Sequence, residues 1–109
     1  MIIQSKRVWI AGQFMEAQLE VEAGRILAIH PYGTFPADTD YGNNRILPGF
    51  IDVHTHGAYG FDTNDAVPEG LREWMRRIPE EGVTSILPTT VTQMPDVLTK
   101  ALTNVASVV

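Results

Sequence analysis

Residues 48–57 constrain the fold of this chain more than any other stretch, and they read PGFIDVHTHG. A turn dipeptide opens the stretch, a nearly continuous apolar run follows, and two histidines one residue apart close it. Such a run predicts a strand that is buried on both faces, as in a parallel sheet. Because residues two apart in a strand point to the same face, Asp52, His54 and His56 are expected to lie on one face.

The composition is that of one globular domain, since 44% of the 109 residues are hydrophobic and 19% are charged. A net charge of −5 argues against a general nucleic-acid surface, which needs a basic patch. The chain has no cysteine, so disulfides and thiolate metal sites are excluded, and a cytoplasmic location is expected. The short apolar run at the N-terminus is expected to be neither a signal peptide nor a membrane span.

Residues 1–48 are predicted to form short strands joined by tight turns. The expected features are a hairpin around 11–13, a second turn at Ala23 and Gly24, a polar loop over 38–44 and a short strand at 45–47. His30, directly before Pro31, is expected to lie exposed in a turn. This pattern predicts part of a small β-sandwich or a β-meander, too short to close a good core alone.

Residues 49–109 are predicted to alternate between strand and helix, with a loop over 57–65 and a second buried strand over 83–87. The first helix is expected to begin near Pro68 and to end at Ile78, because Pro79 follows. The second is expected to begin at Pro95. Its apolar stripe is predicted to be Val97, Leu98, Ala101, Leu102, Val105 and Val109. The alternation predicts an α/β fold with parallel strands and right-handed crossovers, and a domain boundary between residues 48 and 49.

The histidine pair is the strongest candidate for chemistry. Neutral imidazoles bind zinc or iron, and a metal normally needs three or four ligands. A bare His-x-His pair is more often found on a protein surface. Here the pair ends a predicted buried strand and precedes a glycine, which favours a metal site because α/β active sites gather at strand C-termini. Asp52 is expected either to support these ligands or to bond backbone amides or a later side chain.

Other polar residues have simpler interpretations. Asp62, Asn64 and Asp65 lack the glycine and terminal glutamate of a calcium loop, so a polar loop near the mouth of the site is expected. Thr89 and Thr90 end the second strand, where threonines either contact substrate or serve as β-formers and caps. The arginines at 72, 76 and 77 are expected on a solvated helix face, with a Glu73–Arg77 pair.

Residues 48–57 resemble the first barrel strand of the amidohydrolase superfamily, whose members combine a metal-dependent (β/α)₈ barrel with a small β-sandwich formed by both chain ends. Two later stretches, GAYGFDTNDA at 57–66 and EEGVTSILPTTVT at 80–92, are similar to the N-acetylglucosamine-6-phosphate deacetylase family within it. The resemblance implies that residues 1–48 are the N-terminal portion of the β-sandwich. It implies that residues 49–109 are the first two β/α units of an incomplete TIM barrel.

The resemblance also implies an activity, the removal of the N-acetyl group from N-acetylglucosamine 6-phosphate in amino-sugar catabolism, giving glucosamine 6-phosphate and acetate. His54 and His56 match the family's strand-one metal pair, which implies one or two divalent ions, zinc or iron, that activate water and polarise the amide carbonyl. The expected partners are this small amino-sugar phosphate and further copies of the chain, in a homodimer or larger assembly. No nucleic acid or membrane is expected.

The family's other metal ligands and its catalytic aspartate come from later strands. No glutamate follows Glu81 here, and the remaining histidine is His30. The chain is therefore expected to be an N-terminal fragment, inactive alone and a poor metal binder, with its catalytic residues beyond Val109 and substrate-binding residues unknown. Two alternatives are open: another metal-dependent amidohydrolase, such as a dihydroorotase-like enzyme, or a non-catalytic interaction module that reuses the scaffold.

Overall fold

A computed structural model describes residues 1–108. The chain forms two compact units, Met1–Pro48 and Gly49–Val109. The first contains β1 (Ile2–Ile10), β2 (Gln13–Glu22), β3 (Arg25–Pro31), β4 (Thr39–Asp40) and β5 (Arg45–Ile46). The second contains β6 (Phe50–Thr55), β7 (Gly57–Ala58), β8 (Phe61–Asp62), α1 (Pro68–Arg77), β9 (Val83–Pro88) and α2 (Pro95–Val108).

The first unit is built on one five-stranded sheet, in which β3, β2, β1 and β4 lie in that order and β5 also pairs with β1. Strands β1, β2 and β3 form an antiparallel meander. Two-residue turns join them at Ala11–Gly12 and Ala23–Gly24, and all four residues have positive φ angles. Turns of this kind match the twist of a β-hairpin, which confirms both turns predicted from the sequence.

Two predictions for this unit are wrong. The sequence predicts a loop over 38–44, but β4 lies there and pairs in parallel with β1. The pairing is held partly by the Asp38 carboxylate, which accepts a hydrogen bond of 2.6 Å from the amide of Ile2. His30 is predicted to be exposed in a turn, but it lies within β3, half-buried, with its Nε2 2.9 Å from a carboxylate oxygen of Glu20.

Asp40 collects three hydrogen bonds that favour its charged form. The Tyr32 hydroxyl donates at 2.7 Å, the Gly42 amide at 2.8 Å and the Gln4 side-chain amide at 2.9 Å. These donors, Tyr32 first, hold the pKa of Asp40 below its ordinary value. The resulting stabilisation is present above the unfolded pKa of about 3.9 and is lost as the pH falls through the lower folded pKa.

Tyr32→Phe should therefore raise the pKa of Asp40, because it removes the largest of these contributions. The carboxyl ¹³C signal of Asp40, followed by NMR from pH 6 downward, measures this directly. Tyr41→Phe is the matched control and should leave the Asp40 titration unchanged. An Asp40 titration that is the same in Tyr32→Phe and in the unaltered protein would contradict this account.

The second unit packs its helices around a small apolar core. Phe61, Leu71, Trp74 and Ile78 form its buried centre, and Val83, Ile86, Val105 and Val108 pack against it. Helix α1 begins with Pro68 as predicted and passes into a 3₁₀ helix at Ile78–Glu81. Gly82, at φ 80°, then turns the chain into β9, which pairs in parallel with β6. The predicted strand–helix–strand–helix order is confirmed.

Burial on the second unit differs from the prediction in three places. Phe50, Ile51 and Val53 of β6 are 62%, 67% and 66% exposed, and Leu87 of β9 is also exposed. A parallel strand is buried on both faces only when layers cover both, and among residues 1–108 β6 pairs with β9 alone. The predicted stripe of α2 is wrong at Leu102, which is 61% exposed, whereas Asn104 is buried. Val109 lies outside the described residues.

The prediction of a loop over 57–65 is wrong, because most of this segment has regular secondary structure. Its β7 and β8 form an antiparallel hairpin, and a 3₁₀ turn follows at Thr63–Asp65. No helix among the described residues is long and apolar enough to cross a membrane.

Candidate metal centre

His54 and His56 lie side by side at the C-terminal end of β6. Their ring centres are 5.1 Å apart and their planes are inclined by 86°. Two imidazoles that share one tetrahedral ion have ring centres about 5 Å apart, since each metal–nitrogen bond is about 2.1 Å. The His54 ring is the more exposed of the two, and His56 is half-buried. This spacing is compatible with a shared ion, and it also lies in the range of an edge-to-face aromatic contact, so the metal pair stays a prediction.

A main-chain carbonyl fixes the orientation of the His56 ring. Its Nδ1 lies 3.0 Å from the carbonyl oxygen of Thr89, at the end of the neighbouring strand. A carbonyl oxygen only accepts hydrogen bonds, so Nδ1 must carry the proton and donate. The lone pair of neutral His56 is then on Nε2. Metal-binding histidines are oriented in this way, by a hydrogen bond from the nitrogen that does not bind the metal.

The protonation pattern of the histidine rings can be measured. In metal-free, ¹⁵N-labelled protein at alkaline pH, two-bond ¹H–¹⁵N NMR spectra should show neutral His56 protonated on Nδ1. His30 provides an internal control with the opposite expectation, because its Nε2 faces the Glu20 carboxylate and must donate. A His56 ring protonated on Nε2 would contradict the Thr89 contact.

Asp52 bonds the backbone rather than the rings. Its Oδ1 accepts a hydrogen bond of 3.1 Å from the amide of His54. The sequence leaves open whether Asp52 supports the metal ligands or bonds backbone amides or a later side chain. The structure shows the bond to a backbone amide. No cluster of three or more histidine and carboxylate side chains lies close enough to hold an ion anywhere in residues 1–108. The histidine pair thus supplies two of the three or four ligands that a metal requires.

The acidic residues after β7 form a helix cap. Asp62 accepts from the amide of Asn64 at 2.8 Å, and Asp65 accepts from the amide of Asp62 at 2.9 Å. These reciprocal bonds are a capping box, which orders the Thr63–Asp65 turn. The sequence spacing of Asp62 and Asp65 is the signal that could have predicted this turn.

Two contacts to His56 were not predicted from the sequence. Thr63 is 1% exposed, and both its amide and its hydroxyl donate to the His56 carbonyl, at 2.7 and 2.9 Å. Thr89 contacts His56 through its carbonyl, while its hydroxyl donates to the carbonyl of Leu87 in β9. Backbone groups of this kind leave no residue pattern, so only the structure identifies the Thr89 contact.

The arginines of α1 lie on its surface, but one predicted pair is wrong. Glu73 pairs with Arg76, and Arg72 lies 3.8 Å from Glu69. Arg77 instead stacks on Tyr59, with its guanidinium 3.9 Å from the ring centre. The Tyr59 hydroxyl donates to Glu81, and this hydrogen bond is the main cause of a raised Tyr59 pKa. Arg77 thus makes a cation–π contact with Tyr59 in place of the predicted ion pair with Glu73.

Several known sequences similar to this chain are deacetylases. The profile of the amidohydrolase family matches residues 45–107. An N-acetylglucosamine-6-phosphate deacetylase of Bacillus subtilis is 51% identical over 59 residues, covering 54% of this chain and 15% of the relative. The human enzyme of that name is 38% identical over 106 residues, covering 88% and 25%. An N-acetylgalactosamine-6-phosphate deacetylase of Escherichia coli is 35% identical over 95 residues, covering 87% and 25%.

Solved structures agree with this fold. A variant of N-acetyl-D-glucosamine-6-phosphate deacetylase from Mycobacterium smegmatis, in complex with N-acetyl-D-glucosamine-6-phosphate, superposes with a TM-score of 0.89 at 23% identity. It covers 98% of this chain and 29% of that one. The enzyme from Pasteurella multocida gives a TM-score of 0.83 at 23% identity, with 99% and 30% covered. The chain thus spans a quarter or less of the three relatives described above, and its mixed α/β fold is found within these structures.

Proposed function

The chain belongs to the amidohydrolase family, and from that premise we propose that it is part of a metal-dependent carbohydrate deacetylase. The full-length protein would hydrolyse N-acetylglucosamine 6-phosphate to glucosamine 6-phosphate and acetate. The observation that carries the proposal is the His54–His56 pair, whose second ring is oriented by the carbonyl that ends the adjacent parallel strand. The names of the relatives support the choice of substrate.

We further propose the place of each unit in the full-length protein. The sheet of Met1–Pro48 is a portion of a small β-sandwich, and residues 49–109 are the first two β/α units of a TIM barrel. The parallel pairing of β6 and β9, with α1 between them in sequence, supports this proposal. In such a barrel the C-terminal ends of the strands carry the active site, which is where His54, His56 and Thr89 lie.

The residues of this chain prepare the site rather than transfer protons. The imidazoles of His54 and His56 would hold one or two divalent ions, zinc or iron. When bound, a divalent ion supplies Lewis-acid catalysis and lowers the pKa of water. The hydrogen bond from His56 to Thr89 keeps the Nε2 lone pair available, and the exposed His54 ring leaves the site open to an incoming amide. We assign no general acid or base within residues 1–108.

The substrate proposal is tested by acetate release from the purified full-length protein. N-acetylglucosamine 6-phosphate should yield equal amounts of acetate and glucosamine 6-phosphate. N-acetylgalactosamine 6-phosphate belongs in the same assay, because one relative is named for it. Chelation should abolish turnover, and zinc or iron should restore it. Absence of acetate from both sugars would contradict the proposal, and turnover of dihydroorotate would favour the alternative amidohydrolase.

A further inference from the structure

We propose that the Thr63–Asp65 turn is a positioning element that fixes His56 through two separate connections. Thr63 holds the main chain of His56, and Asn64 holds the loop that presents the Thr89 carbonyl to the His56 ring. Both are positioning residues, since each acts through another group. The inference rests on the proposed function, because it assigns these residues a purpose in orienting a metal ligand.

The first connection joins Thr63 to His56 directly. Two donors of one buried residue, the amide and hydroxyl of Thr63, converge on the single His56 carbonyl. The chain folds back sharply to allow this contact: Gly57 has φ +154°, and a Cβ there would lie 2.0 Å from the carbonyl oxygen of Phe61. The capping box then holds the turn in place from its own ends.

The second connection joins Asn64 to the loop after β9. Its side-chain amide donates to the Val91 carbonyl at 3.0 Å, and its carbonyl oxygen accepts from the Val91 amide at 3.2 Å. Val91 is two residues beyond Thr89, whose own amide donates to Thr55 of β6 at 2.7 Å. The loop is thus tied to β6 on one side of the Thr89 carbonyl and to Asn64 on the other.

Together these contacts close a ring of hydrogen bonds around His56. The turn donates hydrogen bonds to the His56 carbonyl through Thr63. The same turn, through Asn64, bonds Val91 in the loop whose Thr89 carbonyl accepts from the His56 ring. Loss of outer contacts to a metal ligand typically weakens metal binding by about 10- to 100-fold. The same range is expected when either connection is broken here.

The variants separate hydrogen bonding from packing. Thr63→Val keeps the shape of the side chain and the amide bond to His56 but removes the hydroxyl. Thr63→Ser keeps the hydroxyl. Asn64→Asp keeps one acceptor and removes the donor to Val91, and Asn64→Ala removes both bonds. Thr99→Val is the matched control, because the Thr99 hydroxyl bonds Pro95 within α2 instead.

The test uses the full-length protein, with two readouts that need no substrate. Zinc affinity, measured by competition with a chromophoric chelator, should fall about 10- to 100-fold in Asn64→Ala, which removes both side-chain bonds to Val91. It should fall measurably but by less in Thr63→Val, which keeps the amide bond to His56, and in Asn64→Asp, which keeps the acceptor for the Val91 amide. Thr63→Ser and Thr99→Val should stay near the unaltered protein. In the metal-free state, ¹⁵N spectra of the affected variants should show His56 losing its single Nδ1-protonated form.

Unchanged zinc affinity and unchanged His56 signals in Thr63→Val and Asn64→Asp would overturn the inference. If Asn64→Ala does not fold, the two more conservative variants still decide it. Failure of the proposed function can be told apart from failure of this inference. If the protein binds zinc but does not deacetylate the sugar, the zinc affinities of the variants still test the inference. If the protein binds no zinc, the ¹⁵N signals of the His56 ring test the inference alone. His56 signals that are the same in the variants and in the unaltered protein would overturn it.

Discussion

Replacing both His54 and His56 with alanine should lower kcat/KM for N-acetyl hydrolysis by the full-length protein by roughly a thousandfold or more. The Lewis-acid contribution of a bound ion is several kcal/mol, and each 1.4 kcal/mol or so is a factor of ten in rate. The pair provides adjacent imidazoles at a separation that suits one ion, so its removal should also lower the metal content. Acetate release and elemental analysis of the purified variant measure the two effects.

His30→Ala is the control for this loss. His30 lies in β3 of the first unit and bonds Glu20, so its removal should leave metal content and kcat/KM close to those of the unaltered protein. Full metal content in the double variant would refute the assignment of the pair, whatever its activity.

Trp74→Ala should destabilise the second unit by about 3–5 kcal/mol, which is the usual cost of truncating a buried aromatic residue. Trp74 is 1% exposed and lies at the centre of the core, with its ring 6.0 Å from that of Phe61. Close packing in this region is also evident at Gly70, where a Cβ would lie 2.3 Å from the Phe61 ring. Urea denaturation of the full-length protein, followed by far-UV circular dichroism, measures the change.

Trp9→Ala is the matched control for the core prediction. Trp9 is 41% exposed in β1 and contacts Phe14 edge-to-face, so its truncation should cost about 1 kcal/mol. Equal losses in the two variants would show that Trp74 does not anchor the core.

Local signals explain which parts of the fold were predictable. Each hairpin turn contains a glycine, which adopts positive φ without strain, and α1 has a proline at its first position. These elements follow from neighbouring residues. Strand β4 does not, because its partner Ile3 lies far away in sequence and its pairing depends on contacts such as Asp38 with Ile2.

Burial was less predictable than secondary structure. The apolar run of β6 indicates a strand suited to burial, yet whether Ile51 and Val53 are covered depends on layers that the run itself does not specify. The stripe of α2 shows the same limit. Positions 102 and 104 are both compatible with helical spacing, and contact with the rest of the unit places Asn104 inward.

The candidate site likewise has one part that could be predicted from the sequence and one part that could not. The pairing of His54 and His56 could be predicted from the sequence, because two histidines at the end of an apolar strand form a recognisable pattern. The groups that orient His56 are backbone atoms and one buried threonine, brought together by the hairpin β7–β8 and the residue after β9. The assignment of the pair as metal ligands stays a prediction.

Anomalous X-ray diffraction from crystals of the full-length protein grown with zinc tests that prediction most directly. An anomalous peak should lie about 2.0–2.1 Å from a ring nitrogen of both His54 and His56, with Nε2 as the ligand atom of His56. His56 Nδ1 should remain bonded to the Thr89 carbonyl. A zinc ion bound elsewhere in the protein, with both rings outside bonding distance, would contradict the account.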